Sequence, residues 1–281
     1  MNNTLSSEIT TNFFTVQDEN FTFDHLRIIN ENPNKHYLHT HNSLEILYFS
    51  NIEGSFSIEG NEYLLSNDDI ILIPPSLCHT IHLENYDLYE RYDLCVSTSF
   101  LQKIGASHIS SSVKVLNCSK YPVLKGLFEK VDYYYNLLNK DDFNKILHHT
   151  IYEICFNLMH IDDNYDTKPN MYSSILLDAI EYINSNLYEL ENISEISDHL
   201  HITKAYLFEI FKKHMKTTPK KYINTKRLHA IKKHIDLGAN PTEIYLKYGF
   251  NDYSTFYRNY CKLFHTSPQK SSENNTFTLK L

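Results

Sequence analysis

No run of 18 apolar residues occurs anywhere in this 281-residue chain, so no membrane-spanning helix is expected. Met1 to Thr11 lacks a basic stretch followed by an apolar one, which argues against a secretory signal. Cysteine is scarce. Cys78, Cys95, Cys118, Cys155 and Cys261 are scattered, odd in number and form no CxxC pair, so a disulfide framework is excluded and reduced thiols in a cytosol are expected. What the chain does have is 42% apolar and 14% aromatic residues, enough to bury real cores. Its length allows one large domain or two ordinary ones.

The net charge of −8 hides a strong asymmetry. Residues 1–170 hold 11 basic and 23 acidic side chains, whereas residues 199–270 hold 14 basic and 4 acidic ones. A basic block of that size fits phosphate contact. The plainer alternative is a set of solvated lysine-rich helix faces. The acidic half gives no reason to touch DNA.

Within the basic block, two segments follow one plan. Ile193 to Lys213 and Pro241 to Tyr260 each read as a short apolar-periodic helix, a tight turn and a longer helix with exposed polar and basic residues, the sequence form of a helix-turn-helix. Each then runs to a helix start, Thr218-Pro219 and Ser267-Pro268, with Ser or Thr as N-cap and Pro in the first turn. Between them Pro219 to Leu237 carries a broad apolar stripe (Tyr222, Ile223, Leu228, Ala230, Ile231, Ile235), with Gly238 as the expected C-cap. Such a helix spans about 28 Å at 1.5 Å per residue, near the roughly 34 Å between successive major-groove faces. One connecting helix would set two recognition helices into adjacent groove segments.

The stretch Gly249-Phe250-Asn251-Asp252-Tyr253-Ser254-Thr255-Phe256-Tyr257-Arg258, followed by Ser267-Pro268, resembles the tandem helix-turn-helix domain of the AraC/XylS family of transcription regulators, as do Phe211-Lys212-Lys213 and Arg227-Leu228. The resemblance covers about residues 173–270. Three positions depart from it: Tyr245 where the family usually has Ala, and Lys216 and His265 where it usually has Gly. Local differences in packing and turns are expected there.

Upstream, short strands with turn punctuation run from about Phe21 to Leu101: Leu44 to Phe49, Gly54 to Ile58, Tyr63 to Leu65, Ile70 to Ile73, His79 to Leu83 and Tyr89 to Val96. Glu59-Gly60-Asn61-Glu62 reads as a hairpin turn. Seven or eight strands in some eighty residues point to a small barrel or jelly roll. Residues 1–20 are expected to be poorly ordered or a lone strand. The half resembles a cupin, on the strength of His39-Thr40-His41, Glu45, the Ile71-Leu72-Ile73-Pro74-Pro75 strand and His79. The resemblance implies that His39, His41, Glu45 and His79 converge inside the barrel, although the glycines usual in the second cupin motif are absent. Alternation along a strand also puts His39 and His41 on one face. Three imidazoles and a carboxylate suit Zn, Fe, Ni or Mn. Contacts to a small organic effector without metal, and purely structural histidines, are the alternatives. The four residues are assigned here to effector binding, with no metal and no cofactor.

From Tyr121 to Met159 the periodicity becomes helical. Leu124, Leu127, Phe128, Val131, Tyr135 and Leu138 line one helix, and Ile146, Leu147, Ile151, Ile154, Cys155 and Leu158 line a second. They are expected to pack on the barrel, on each other or on a second subunit.

The expected class is α+β: a cupin-like sensor at 1–120, a helical pair at 121–160, a linker at 161–171, a tandem helix-turn-helix domain at 172–270 and a tail at 271–281. Lys204, Ala205, Phe208, Glu209, Lys212 and Lys213 on the first recognition helix are expected to face DNA. So are Tyr253, Ser254, Thr255, Arg258 and Lys262 on the second, with Arg258 suited to guanine or to a phosphate. The function that follows is a sequence-specific regulator, an activator by resemblance, acting in the cytoplasm. Its expected partners are double-stranded DNA, a small-molecule effector, RNA polymerase and a second copy of the chain, with no membrane contact. The rival reading is a metal-dependent cupin enzyme with a helical appendage.

Overall fold

The computed structural model describes residues 9–30, 38–85, 87–161, 170–171, 174–264 and 266–269. The expected tail, most of the expected linker, and His265 lie outside the described residues.

Among the described residues, ten strands build the N-terminal half. Six make one antiparallel sheet in the order β1 (Ile9–Gln17), β2 (Phe21–Ile29), β8 (Leu88–Ser97), β3 (Ser43–Asn51), β6 (Asp69–Ile73) and β9 (Lys114–Asn117). The second sheet runs β10 (Asn170–Met171), β5 (Asn61–Leu65), β4 (Gly54–Ile58) and β7 (His79–Leu83). Leu47, Phe49, Phe56, Ile58, Ile73 and Ile81 fill the space between the sheets. The other face of the larger sheet is covered as well. There Phe23, Tyr48 and Leu94 pack against Phe128, Phe143 and Ile151, which come from α2 (Pro122–Leu137) and α3 (Lys140–Met159). A strand buried on both faces reads as an unbroken apolar run. That is why Leu44 to Phe49 shows no alternation, and why a carboxylate inside it, Glu45, stands out.

Several features differ from the sequence reading, among them strands β9 and β10, which lie beyond the expected strand region. β1 is a full partner of β2 from Ile9↔Ile29 to Gln17↔Thr22 rather than a lone strand. A short helix, α1 (Thr98–Lys103), capped by Ser97, follows β8 where only strands were expected. Tyr135 is 43% exposed rather than buried, its ring stacking on Phe14 at 4.3 Å.

The C-terminal half is helical: α4 (Ser174–Ser185), α5 (Ile193–His199), α6 (Lys204–Met215), α7 (Pro219–Asp236), α8 (Pro241–Lys247) and α9 (Tyr253–Phe264). Local chemistry fixes most of their ends. Asn192 and Glu195 form a reciprocal capping box, and the side chains of Thr203, Thr218 and Asn240 cap the next helices in turn. After α7, Gly238 takes φ 94°, its N–H donates to Ile235 and that of Ala239 to His234. This is the paired bonding of a Schellman stop. α6 ends differently, on Lys216 at φ 48°, a left-handed turn made without glycine.

Two cores divide this half. Leu176, Ile180, Ile196, Leu207 and Phe211 share one with Tyr222 and Ile223 of α7. Ile244, Phe250, Phe256 and Tyr260 share the other with Leu228, Ile231 and Ile235 of α7. One helix of about 27 Å, by its rise per residue, is therefore rooted in both units. The departure at Tyr245 is absorbed by this second core, where its ring lies on Phe256 at 5.8 Å and meets Tyr253 edge-on at 5.4 Å.

The recognition helices and the histidine cluster

On α6 the i, i+3 and i+4 rule sorts the side chains cleanly. Leu207, Ile210 and Phe211 are buried, while Lys204, Ala205, Phe208, Glu209, Lys212 and Lys213 are all exposed. The same holds on α9 for buried Phe256 and Tyr260 against exposed Ser254, Arg258 and Lys262. Thr255 is half-buried, and Tyr253 is packed among Tyr245, Phe256 and Tyr257, so much of its ring belongs to the core rather than to an outer surface. Arg258 lies back along its own helix, its Nε donating to the Ser254 carbonyl at 3.4 Å. Exposed Tyr206 and Tyr257, each 38% accessible, lie on the same helices and were not singled out from the sequence.

Arg227 was placed by the sequence motif but given no role. It is 6% exposed, and its guanidinium donates to three carbonyls: Leu187 at 2.8 Å, Leu190 at 2.5 Å and Gly249 at 2.9 Å. It ties the loop after α4 to the turn between α8 and α9. A signal was present, since Arg227 continues the i, i+4 row of Ile223, Ile231 and Ile235.

The four residues His39, His41, Glu45 and His79 do converge, with one ligating atom from each lying within 4.8 Å of the others. The Glu45 Oε2 oxygen is 3.0 Å from His41 Nε2 and 3.1 Å from His79 Nε2, and His79 Nε2 is 3.0 Å from His39 Nε2. Glu45 and His79 are 3% and 0% exposed. His41 and His79 each donate Nδ1–H to a carbonyl, of Ser43 and of Leu77, both at 2.9 Å. In the neutral ring that fixes the tautomer and leaves Nε2 as a lone pair. Several lone pairs then point at one another and at a carboxylate oxygen, an arrangement that needs a proton or a cation at its centre.

The electrostatics agree with the geometry. Burial opposes charge on His41, but the Glu45 carboxylate beside it outweighs this and raises its pKa. Burial likewise works against ionised Glu45, yet His79 and His41 hold its pKa well below the ordinary range. Neighbouring Asp93 on β8 is pushed up to about 6 by burial, with the charge of Glu45 acting in the same direction and Arg91 opposing. Glu45, Asp93 and Cys95 form a second potential ligand group. It escaped the sequence reading because β8 brings these side chains together only through its register, Glu45↔Cys95 and Leu47↔Asp93.

Comparison with known proteins fits both halves. Residues 22–131 match the family model of an AraC-like ligand binding domain. Residues 196–274 match that of a helix-turn-helix domain. The lactose operon transcription activator of Staphylococcus xylosus is 21% identical over 240 residues, 84% of this chain and 86% of that protein. The XylDLEGF operon transcriptional activator of Pseudomonas putida is 32% identical over 94 residues, 32% of this chain and 29% of its own length. Among solved structures, that of ToxT from Vibrio cholerae O395 covers 94% of this chain and all of its own at 14% identity, with a TM-score of 0.39. Among the described residues no helix is long and apolar enough to cross a membrane. The two matched domains together span more than half of the chain, which belongs to the AraC family as a DNA-binding transcription regulator with a ligand-binding N-terminal domain.

Proposed function

We propose that this regulator is a cytoplasmic activator that binds two half-sites in adjacent major-groove segments and answers to an effector held by His39, His41, Glu45 and His79. The observation that carries the DNA half of this reading is the placement of α7. Its two ends are rooted in separate cores, each of which also holds one recognition helix with polar and basic residues outward. Lys204, Ala205, Phe208, Glu209 and Arg258 are the proposed base-reading set, with Ser254, Thr255 and the accessible edge of Tyr253 beside them. Lys212, Lys213 and Lys262 are the proposed phosphate contacts.

The donor set supports a cation-dependent effector site. Imidazole nitrogens and a carboxylate suit a first-row divalent ion, and the Nδ1 bonds of His41 and His79 already orient them for it. The four side chains would hold the ion, which would supply the positive charge their lone pairs lack. The metal-free alternative places a proton between His41 and Glu45, 3.0 Å apart, and metal content of the purified protein decides between the two.

The activating sign is supported by the two operon activators to which the chain is similar, and carries with it contact with RNA polymerase. A homodimer is supported by Tyr133, Leu137, Tyr152 and Phe156, exposed at 63%, 60%, 48% and 49% on α2 and α3.

Selection of genomic DNA fragments by the full-length protein, with and without Co(II), tests the reading. It is expected to enrich one motif with half-sites about one helical turn apart, and the yield is expected to change with the ion. Failure to enrich any motif under either condition would sink it.

A further inference from the structure

The wall of the effector site is one strand thick, and its two faces serve different halves of the protein. His39 and His79 pair as an isolated antiparallel bridge, His39 N–H donating to the His79 carbonyl at 3.1 Å and His79 N–H to the His39 carbonyl at 2.9 Å. Both imidazoles belong to the cluster. The residues just before them, Leu38 and Cys78, belong instead to the hydrophobic core of the first helix-turn-helix unit, with Leu176, Ile180, Phe211 and Tyr222. Alternation along an extended chain explains the split: each step of one residue crosses the wall.

The same wall grips a single carboxylate. Glu59 and Gly60 form the two-residue turn between β4 and β5, both at positive φ, 46° and 77°. Glycine suits the second position, where φ is 77° and a Cβ would lie 2.7 Å from Cδ1 of Ile180 on α4, which would have to shift. Glutamate is an unfavoured choice at the first, where Asn, Asp or Gly is usual, because its Cβ disfavours a left-handed backbone. Its side chain accounts for its presence. Oε1 accepts from the Cys78 N–H at 2.6 Å and from Lys226 Nζ at 2.8 Å, while Oε2 accepts from Tyr222 Oη at 2.5 Å and from Asn184 Nδ2 at 3.3 Å. The Glu59 N–H returns to the Cys78 carbonyl at 2.9 Å. One residue thus joins the peptide next to His79 to α4 and to α7, the helix that carries both reading units.

We infer that Glu59 is the relay between effector and DNA: a change in the wall at Cys78-His79 on occupancy of the cluster is passed through Glu59 to Tyr222 and Lys226 of α7. The inference rests on the effector reading of the cluster given above. Glu59, Tyr222 and Lys226 are not among the four residues of the cluster. Loss of the relay is expected to leave effector binding intact and to remove the response.

The test uses the full-length protein, Co(II) as probe, and a duplex carrying the motif selected from genomic fragments. Four proteins are compared: the parent, Glu59→Gln, His39→Ala and the double variant, with Lys226→Met as a second way to break the relay should Glu59→Gln fold poorly. Co(II) binding is read from its visible absorption and DNA affinity from fluorescence anisotropy. In the parent, Co(II) is expected to shift affinity by about 5- to 150-fold, the usual range of coupling between sites. Glu59→Gln is expected to bind Co(II) as the parent does while its shift falls below about twofold. A shift of parental size in both Glu59→Gln and Lys226→Met overturns the relay. If the parent binds no Co(II), the cation reading of the cluster fails, and the relay is decided by the metal-free cycle. His39→Ala and Glu59→Gln effects on DNA affinity that depart from additivity by more than about twofold support it, and additive effects overturn it.

Discussion

Asp132 of α2 accepts a hydrogen bond from Nδ1 of His25 on β2 at 2.9 Å, bracing the helical pair against the sheet. The other ring nitrogen of His25 faces Glu90 at 3.0 Å, and the second oxygen of Asp132 accepts from Tyr92 at 2.6 Å. Burial disfavours the imidazolium, but the bonds and charges of Asp132 and Glu90 prevail, and the pKa of His25 is raised. A folded-state pKa above the unfolded value of about 6.5 gives stability that is complete below that value and is lost as pH rises through the folded pKa. Urea denaturation followed by circular dichroism is expected to show the parent losing stability as pH rises above about 6.5. His25→Gln is expected to be less stable at the acid end and to lose part of that slope. An unchanged slope in the variant would remove His25 as its source.

Arg227 and Gly249 form a second dependent pair. Gly249 sits at φ 73°, and a Cβ there would fall 2.5 Å from the Arg227 guanidinium carbon. Gly249→Ala is expected to cost about 1–3 kcal/mol through backbone strain and displacement of that side chain. Arg227→Met leaves three carbonyls without their donor and is expected to cost about 2–4 kcal/mol. Because the two share one contact, the double variant should be less destabilised than the sum. Chemical denaturation of the four proteins measures this, and strict additivity would show that the pair does not interact.

Arg258 and Lys262 are both exposed on α9, yet different behaviour is expected of them. Arg258→Ala is expected to weaken the selected site by about 1–3 kcal/mol and to relax the choice at one base pair. Lys262→Ala is expected to weaken all sequences alike and to reduce the salt dependence by about one phosphate contact. Titrations over a salt series, on the selected site and on single-base variants of it, separate the two. Uniform weakening by Arg258→Ala would reassign that residue to the phosphate backbone.

The readable parts of this fold were those with local causes. The cap at Thr218, the stop at Gly238 and the outward set on α6 follow from residues a few positions apart along the chain. The pairing of β1 with β2 was not readable, because a strand shows its propensity but not its partner. Tyr253 comes out half-buried for a related reason: helical periodicity gives a direction, but Tyr245 on another helix covers part of the ring. The four-residue cluster was legible through spacing, since the cupin resemblance supplied the long-range pairing that the sequence does not state. Glu59 lay in a turn that the sequence did show. Its partners at Asn184, Tyr222 and Lys226 are more than a hundred residues away, and nothing local announces them.

The pairing of Asn170–Met171 with Asn61–Glu62 gives the connecting segment a protective task. Without β10, part of β5 would lie at a free sheet margin, with backbone donors and acceptors open to any extended peptide. A protease that cuts before Asn170 would therefore weaken more than the tether between the halves. The uncovered rim is a template for strand addition by other molecules, so the severed sensor should be sticky as well as separated.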